Sequence, residues 1–129
     1  MFEKNDGKII YKEESYQIIA TCLEVHRILG KGFSEIVYKD ALEYEFQRMN
    51  IPYEREKIFD VDYKDIVLKH KFTADFIVYD KIILEVKAVG EVINKFLKQT
   101  LNYLNVTKYK LGIIVNFGED TLKYKRLVF

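Results

Sequence analysis

The sequence predicts an α/β fold, an α+β arrangement in which helices pack on one mixed sheet. Hydrophobic residues recur at helical spacing before Pro52, alternate with a period of two after it, and return to helical spacing between Gly90 and Lys110. Only 6 glycines and 1 proline occur in 129 residues, so packed elements are favoured over disorder. A chain of this length can form one core, and we expect a single domain over residues 1–129.

Two helices come first. One is predicted from about Glu13 to Leu29, and Gly30 and Gly32 favour its end. Ser34 stands at the position of an N-cap for the second helix. That helix is expected to end at the break formed by Asn50-Ile51-Pro52.

Three strands are predicted next. The run Tyr53 to Tyr63 alternates polar and apolar residues, as a strand with one wet face does. Two β-rich runs follow, Ile66 to Tyr79 and Ile82 to Ala88. Asp80-Lys81 between them suits a tight reversal, so these runs should form an antiparallel hairpin.

A helix and two strands complete the order ααβββαββ. Helical spacing of apolar residues runs from Val92 to about Val106, which is long enough for a crossover. Lys110 to Phe117 has the composition of a buried strand, and it can therefore lie parallel to the Ile82 strand in a mixed sheet. Leu122 to Phe129 is expected to be an edge strand.

Composition excludes several classes of protein. The single Cys22 rules out an internal disulfide and a clustered cysteine zinc site, and an inert, buried thiol is expected. Met1 to Gly7 is charged and unlike a signal peptide, and no run has the apolar length of a membrane span. We therefore expect a soluble, cytoplasmic protein. The net charge of +1 gives no global attraction to nucleic acid, so any basic surface must be local.

Three charged residues interrupt apolar strands. Asp75, Glu85 and Lys87 stand among residues typical of a buried sheet, where an unpaired charge is costly. Glu85 and Lys87 are two apart and so share one face, roughly 6.5 to 7 Å apart. A directly opposed Asp75 would lie within roughly 5 Å of Glu85. Two carboxylates that close repel unless a proton or a cation lies between them, and a hard ion such as Mg²⁺ suits oxygen ligands.

The hairpin register tests this hypothesis. A strict two-residue loop at Asp80-Lys81 pairs Asp75 with Val86 and places Asp75 on the face opposite Glu85. The metal site therefore requires a three-residue loop or a bulge between Val78 and Ile83.

The arrangement resembles a known family. Asp75 followed by Glu85-Val86-Lys87 is similar to the Asp and Glu-x-Lys of the PD-(D/E)XK nuclease superfamily, although Ala74 replaces the proline. The segments that resemble the GxxExxY protein family within it are Leu29-Gly30-Lys31-Gly32, Gly32-Phe33-Ser34-Glu35-Ile36-Val37-Tyr38 and Asn116-Phe117-Gly118. The resemblance spans about Glu13 to Phe117 and implies a restriction-endonuclease-like αβββαβ core, here with an extra N-terminal helix and a C-terminal edge strand.

The resemblance also implies roles for individual residues. Asp75, Glu85 and the Val86 carbonyl would hold Mg²⁺ or Mn²⁺, and Lys87 would assist the attacking water. Glu35 would be an acidic residue beside the metal, although a carboxylate in the first turn of a helix is also favoured by the helix dipole. Gln99 would support Lys87 or a phosphate, or would be a solvated helix residue.

Several other polar residues have an ordinary structural interpretation beside a functional one. Tyr103 shares a helix face with Gln99, and Tyr38 can pack or contact substrate. His26 is a candidate to support the site or a satisfied, partly buried histidine, whereas His70 has no neighbour for metal binding. Glu54 and Glu56 are expected to face solvent. A local phosphate-contacting surface or a solvated face is expected from Lys95, Lys98, Lys123, Lys125 and Arg126.

The leading hypothesis is a magnesium-dependent nuclease that hydrolyses phosphodiester bonds in DNA or RNA. The alternative is a non-catalytic domain that retains the fold and binds nucleic acid or protein. The three core charges favour the enzyme. An exposed edge strand near Phe129 also suggests a homodimer.

Overall fold

The computed structural model describes residues 9–129. The expectation about Met1 to Gly7 lies outside this range. Three helices and seven strands are arranged in the order α1 (Lys12–Leu29), α2 (Glu35–Arg48), β1 (Tyr53–Phe59), β2 (Asp62–Tyr63), β3 (Ile66–Val67), β4 (Phe72–Val78), β5 (Ile82–Lys87), α3 (Asn94–Thr107), β6 (Leu111–Asn116) and β7 (Lys123–Val128). Within residues 9–129, no helix combines the length and the apolar character needed to cross a membrane.

A five-stranded mixed sheet in the order β1-β4-β5-β6-β7 forms the centre of the fold. β5 pairs antiparallel with β4 and parallel with β6, as predicted, and α3 forms the crossover between β5 and β6. β7 is the edge strand beside β6, and β1 forms the other edge. The predicted mixed α/β fold is confirmed.

Two apolar layers enclose the sheet. On one face, Ile18 and Cys22 of α1 and Leu42 and Phe46 of α2 pack against strand residues such as Leu84. On the other face, the buried residues from the strands and α3 are Ala74, Ile77, Ile83, Leu104, Ile114 and Leu127. The Cys22 thiol is fully buried, which raises its pKa and agrees with the expected inert thiol.

The helix ends follow the predicted signals with one difference. Gly30 ends α1 with a φ of 67°, and its N–H donates to the carbonyl of His26. Ser34 does occupy the N-cap of α2, but its side chain makes no capping hydrogen bond. The Val37 N–H instead donates to the Ser34 backbone carbonyl at 3.1 Å. The predicted position of the cap is confirmed, and the Ser34 backbone rather than its side chain makes the hydrogen bond there.

The first two strand predictions were too long. The strand predicted from Tyr53 to Tyr63 ends at Phe59, and the run Ile66 to Tyr79 contains two separate strands. β2 and β3 form their own two-stranded sheet, in which Tyr63 pairs with Ile66 across a two-residue turn. Periodicity does not distinguish one long strand from two strands that belong to different sheets.

Candidate functional site

The β4–β5 hairpin decides whether Asp75 can reach Glu85. Val78 pairs with Ile82, so the loop comprises three residues, Tyr79 to Lys81. Tyr79 and Asp80 adopt positive φ values of 56° and 58°. The predicted three-residue loop is confirmed, and its register sets Asp75 against Glu85.

The strand pairing opens at this point. The β4–β5 ladder runs from Val78↔Ile82 to Phe76↔Leu84 and stops one position before Asp75 and Glu85. Their carboxylates bind the backbone amides there. The Asp75 N–H donates to Glu85 Oε2 at 2.9 Å, and the Val86 N–H donates to Asp75 Oδ2 at 2.8 Å. Side chains thus replace the backbone ladder and hold the two carboxylates together.

The electrostatics of the pair depend on burial. Glu85 is only 5% exposed, and desolvation together with the charge of Asp75 raises the pKa of Glu85 to about 8. The backbone N–H of Asp75 and the charge of Lys87 oppose this rise without cancelling it. A proton or a cation is therefore needed for the two carboxylates to be stable side by side.

Lys87 lies on the same side of the sheet as α3. Its Nζ stands 4.6 Å from the centroid of the Phe96 ring on that helix, within the range of a cation–π contact. The ammonium is thus held near the carboxylate pair by an aromatic ring. It contributes a positive charge that lowers the pKa of Glu85.

Tyr103 of α3 lies near the carboxylate pair, whereas a role for Gln99 at the site stays a prediction. The Tyr103 ring stacks on Phe72 at 4.2 Å, and burial followed by the charges of Glu85 and Asp75 raises the pKa of the phenol. Gln99 is exposed beside Tyr103 in a shallow hollow of α3. The remaining residues that line this hollow are Asn94, Lys95, Lys98 and Asn102.

Glu35 lies in the first turn of α2 and is half-buried. It stands four residues before Lys39, so the two residues share a helix face. Among residues 9–129, no three His, Cys, Asp or Glu side chains form a ready cluster for a metal ion. Asp75 and Glu85 therefore stand as a pair, and a role for Glu35 as a further ligand stays a prediction.

Tyr38 and His26 have structural contacts. The Tyr38 ring stacks on Phe117 at 4.5 Å, and its hydroxyl donates to the Gly30 carbonyl at 2.6 Å. His26 Nε2 lies 2.9 Å from the backbone carbonyl oxygen of Glu119. Both residues tie helices to the end of β6, beside the last residue of β5. His70 is exposed between β3 and β4.

The predicted basic residues do not form one surface. Lys95 and Lys98 border the hollow of α3, whereas Lys123 borders a separate hollow near Gly118 and Asp120. Arg126 points inward, and its Nη2 donates to the Ile10 carbonyl at 2.5 Å. Including Arg126 in a phosphate-contacting surface was therefore wrong, because its side chain connects β7 to the start of α1.

Two residues at the site were missed from the sequence, namely Lys39 and Glu56. Lys39 Nζ donates to Asp75 Oδ1 at 3.1 Å and also to Glu56 Oε1. Burial lowers the pKa of Lys39, but the hydrogen bonds and charges of Glu56 and Asp75 outweigh it and leave the pKa raised. Glu56 is exposed as expected, yet its carboxylate serves this contact rather than solvent alone.

The chemistry of the donors fits a hard divalent ion. Two carboxylates are brought together at the opened ladder, and Glu85 Oε1 accepts no hydrogen bond from residues 9–129. Carboxylate oxygens are the ligands that Mg²⁺ and Mn²⁺ prefer. A divalent ion would also offset the repulsion by Asp75, which adds to desolvation in raising the pKa of Glu85.

Comparisons with known proteins bear on the family and the fold of the chain. Residues 12–127 match the family described as the PD-(D/E)XK nuclease superfamily. Among solved structures, the crystal structure of SSO0001 has a similar fold, with a TM-score of 0.55 and 22% sequence identity. The alignment covers 92% of this chain and 59% of that one, so the chain spans less than two thirds of the SSO0001 chain. No curated protein sequence matches.

The family match extends over nearly all of the described residues and includes both strands that carry Asp75, Glu85 and Lys87. The five-stranded mixed sheet with helices on both faces is consistent with the restriction-endonuclease-like core of that family. This chain belongs to the PD-(D/E)XK nuclease superfamily.

Proposed function

We propose that the chain is a metal-dependent nuclease that hydrolyses phosphodiester bonds in DNA or RNA. The observation that carries this proposal is the carboxylate pair. Asp75 and Glu85 lie together at the opened strand ladder, and Lys87 follows two residues after Glu85 on β5. A buried glutamate beside a partly buried aspartate lowers stability unless a proton or a cation lies between them, and a divalent ion meets this requirement. Nucleases of this superfamily generally use divalent ions such as Mg²⁺.

Within this proposal, each site residue has a role. Asp75, Glu85 and the Val86 carbonyl hold Mg²⁺ or Mn²⁺, and the bound ion supplies Lewis-acid stabilisation of the phosphate and activation of water. Lys87 orients the attacking water or offsets charge on the phosphate. Glu35 and Gln99 complete the site from α2 and α3.

The hollow of α3 supports a nucleic-acid substrate. The helix sequence Asn94–Thr107 contains two lysines and no acidic residue. Tyr103 lines the polar hollow of this helix. Burial and the charges of Glu85 and Asp75 raise the pKa of its phenol. We infer that Lys95 and Lys98 contact the phosphate backbone, which binds without reading sequence.

Membership of the GxxExxY family is part of the same proposal. The residues that support it are Gly32, Glu35 and Tyr38, at the spacing of the motif. Gly32 has a φ of 114° and Tyr38 is fully buried against Phe117. The motif therefore builds the entry to α2 and presents Glu35 on the first turn.

A homodimer through β7 is also proposed. β7 is an edge strand of the five-stranded sheet, and Phe129 beyond its end is 58% exposed. Pairing of two β7 strands would extend the sheet across both copies. Light scattering on the purified protein measures the mass directly, and a monomer at every tested concentration would reject this part alone.

The test of the nuclease is a cleavage assay with Mg²⁺ or Mn²⁺ on single- and double-stranded DNA and RNA. Wild type should cut at least one form, and Asp75→Asn should not, because it retains the size of the side chain but loses the charge. Lys71→Met is the matched control, since Lys71 is an exposed lysine that pairs with Asp60 away from the carboxylate pair.

A non-catalytic nucleic-acid-binding or protein-interaction domain is the second candidate. The observation that favours it is that Lys39, a cation of the protein itself, already contacts Asp75. If wild type binds nucleic acid without cutting any form, and calorimetry detects no binding of Mg²⁺ or Mn²⁺, the binding domain replaces the nuclease.

A further inference from the structure

Three carboxylates form a row across neighbouring strands. β1 and β4 pair on both sides of Glu56 and Asp75, as Arg55↔Phe76 and Lys57↔Ala74, so the same register sets Glu56 opposite Asp75. Glu85 follows on β5. Neighbouring residues across a sheet lie roughly 5 Å apart, and like charges there repel. The row therefore needs positive charge on both sides of Asp75.

The sheet is irregular at this row. Glu56 has a φ of 56° within β1, a conformation that is uncommon for a residue other than glycine. On β4, Ala74 and Ile77 both pack toward α3, although residues three apart on a regular strand face opposite sides. Both strands thus depart from regular geometry where Glu56 faces Asp75, and the departure coincides with the contact to α2.

Lys39 fills the gap between the first two carboxylates. Its Nζ donates to Asp75 Oδ1 at 3.1 Å and to Glu56 Oε1, and its side chain is only 11% exposed. Asp75 Oδ2 is already bound by the Val86 N–H at 2.8 Å. The two oxygens of Asp75 are therefore assigned separately, one to the backbone of β5 and the other to the ammonium.

We propose that Lys39 is a positioning residue of the metal site, a resident cation that fixes the Asp75 carboxylate and opposes entry of a divalent ion. The inference rests on the proposed function, because it concerns the ion that Asp75 and Glu85 would share. A fixed ammonium against one oxygen of Asp75 repels an ion that binds the same carboxylate. Lys39 consequently weakens the affinity of the site for the metal ion, so that a higher ion concentration is needed to fill the site.

The test is calorimetric titration of the folded protein with manganese chloride. Lys39→Met keeps the length of the side chain and removes the charge, so the affinity for Mn²⁺ should rise by about tenfold. Lys39→Arg keeps the charge, and its affinity should stay within about twofold of wild type. Lys71→Met removes an exposed lysine that pairs with Asp60, and it should change nothing.

Thermal unfolding supplies a second readout. Without metal, Lys39→Met should melt below wild type, because Glu56 and Asp75 lose their counter-ion. With saturating Mn²⁺ this deficit should shrink or vanish, since tighter binding stabilises the folded state. A lysine that served packing alone would lower the melting temperature equally with and without the ion.

The outcomes separate this inference from the proposed function. If wild type binds Mn²⁺ and Lys39→Met binds it no more tightly, the inference is wrong and the nuclease stands. If wild type binds none but Lys39→Met does, and Asp75→Asn in that background abolishes it, the inference holds and wild type is no metal-dependent nuclease. If neither protein binds Mn²⁺, both are wrong.

Discussion

Two polar clusters lie at the same end of β5 and β6, and they differ in how their hydrogen bonds and charges are satisfied. The Asn116 network consists of Asn116, Val89, Gly118 and Glu119. The Asn116 amide donates to the Val89 carbonyl at 2.9 Å and to Glu119 Oε2 at 2.8 Å, and its oxygen accepts from Val89 and Gly118 N–H groups at 3.0 Å each. Every hydrogen-bonding position of this buried amide is used.

The carboxylate pair, Asp75 and Glu85, is the opposite case. Its partners are two backbone amides and Lys39, and burial together with the charge of Asp75 raises the pKa of Glu85. A network in which every hydrogen-bonding position is satisfied stabilises a fold, whereas closely spaced carboxylates oppose folding unless a proton or a cation lies between them. The comparison indicates that the Asn116 network stabilises the fold and that the carboxylate pair is suited to binding a ligand.

The largest expected effect comes from Glu85→Gln. Cleavage with Mg²⁺ should fall by at least about 100-fold, because one of the two charged ligands is lost. In a metal chelator, the variant should melt at the same temperature as wild type or above it, because the repulsion with Asp75 is removed. Cleavage assays and calorimetric melting measure the two effects. If the variant lost cleavage and also melted well below wild type, Glu85 would stabilise the fold. The proposed difference between the carboxylate pair and the Asn116 network would then be wrong.

The Asn116 network should behave in the reverse manner. Asn116→Ala removes the side-chain partner of the Val89 N–H, the Val89 carbonyl and the Gly118 N–H, which are partly buried. The free energy of unfolding should fall by about 2–4 kcal/mol, as measured by urea denaturation. Binding of Mn²⁺ per folded molecule should be retained. Gly118→Ala should cost at least as much, because a Cβ there would lie 2.2 Å from the Val89 carbonyl oxygen.

The sequence predicted much of the fold and part of the site. The positions of the helices, the parallel β5–β6 pair and the three-residue hairpin loop followed from periodicity and from the requirement that Asp75 meet Glu85. The roles of Glu56 and Lys39 at the site did not follow from the sequence. Glu56 alternates on β1 as a solvent-facing residue would, and its positive φ and its register with Asp75 depend on tertiary pairing.

One feature of the sequence could have indicated the role of Lys39, which is its position four residues after Glu35 on α2. Whether that face looks toward Asp75 depends on how α2 crosses the sheet, and periodicity does not contain this angle. The roles of Asn116-Phe117-Gly118 were equally hidden. A motif resemblance marks such a segment but does not show that Asn116 bonds to Val89, 27 residues earlier in the chain.

The dependence of stability on pH offers a smaller but direct measure of the carboxylate pair. The pKa of Glu85 is raised in the fold, from 4.5 to about 8, so the folded state keeps a proton that the unfolded chain releases. Stability from this group is therefore complete below about pH 4.5 and is lost as the pH rises toward 8. The free energy of unfolding should fall by up to about 1.4 kcal/mol per pH unit in this window.

Glu85→Gln provides the control for that slope, because every other titrating group is retained. The difference between wild type and the variant, measured by urea unfolding in a chelator from pH 5 to 8, isolates Glu85. Saturating Mg²⁺ should flatten the wild-type slope, since the ion requires the ionised carboxylate. Equal slopes in both proteins without metal would show that the two carboxylates do not share a proton.

The smallest expected effect tests whether His26 belongs with the Asn116 network or with the carboxylate pair. Its Nε2 lies 2.9 Å from the Glu119 carbonyl oxygen, and its ring stacks on Phe117 at 6.1 Å. His26→Ala should lower the free energy of unfolding by about 1 kcal/mol, as expected for one hydrogen bond and a loose ring contact. The affinity for Mn²⁺ should stay within about twofold of wild type.

Cleavage separates the two assignments of His26 more sharply than stability does. If His26 only ties α1 to the β6–β7 turn, the rate at saturating Mg²⁺ should stay within about threefold of wild type at a temperature where the variant is folded. His26→Ala and Asn116→Ala should then lose less than the sum of their separate effects when combined, because both act on the Glu119 turn. A loss of cleavage of about 100-fold with unchanged stability would instead place His26 beside Asp75 and Glu85.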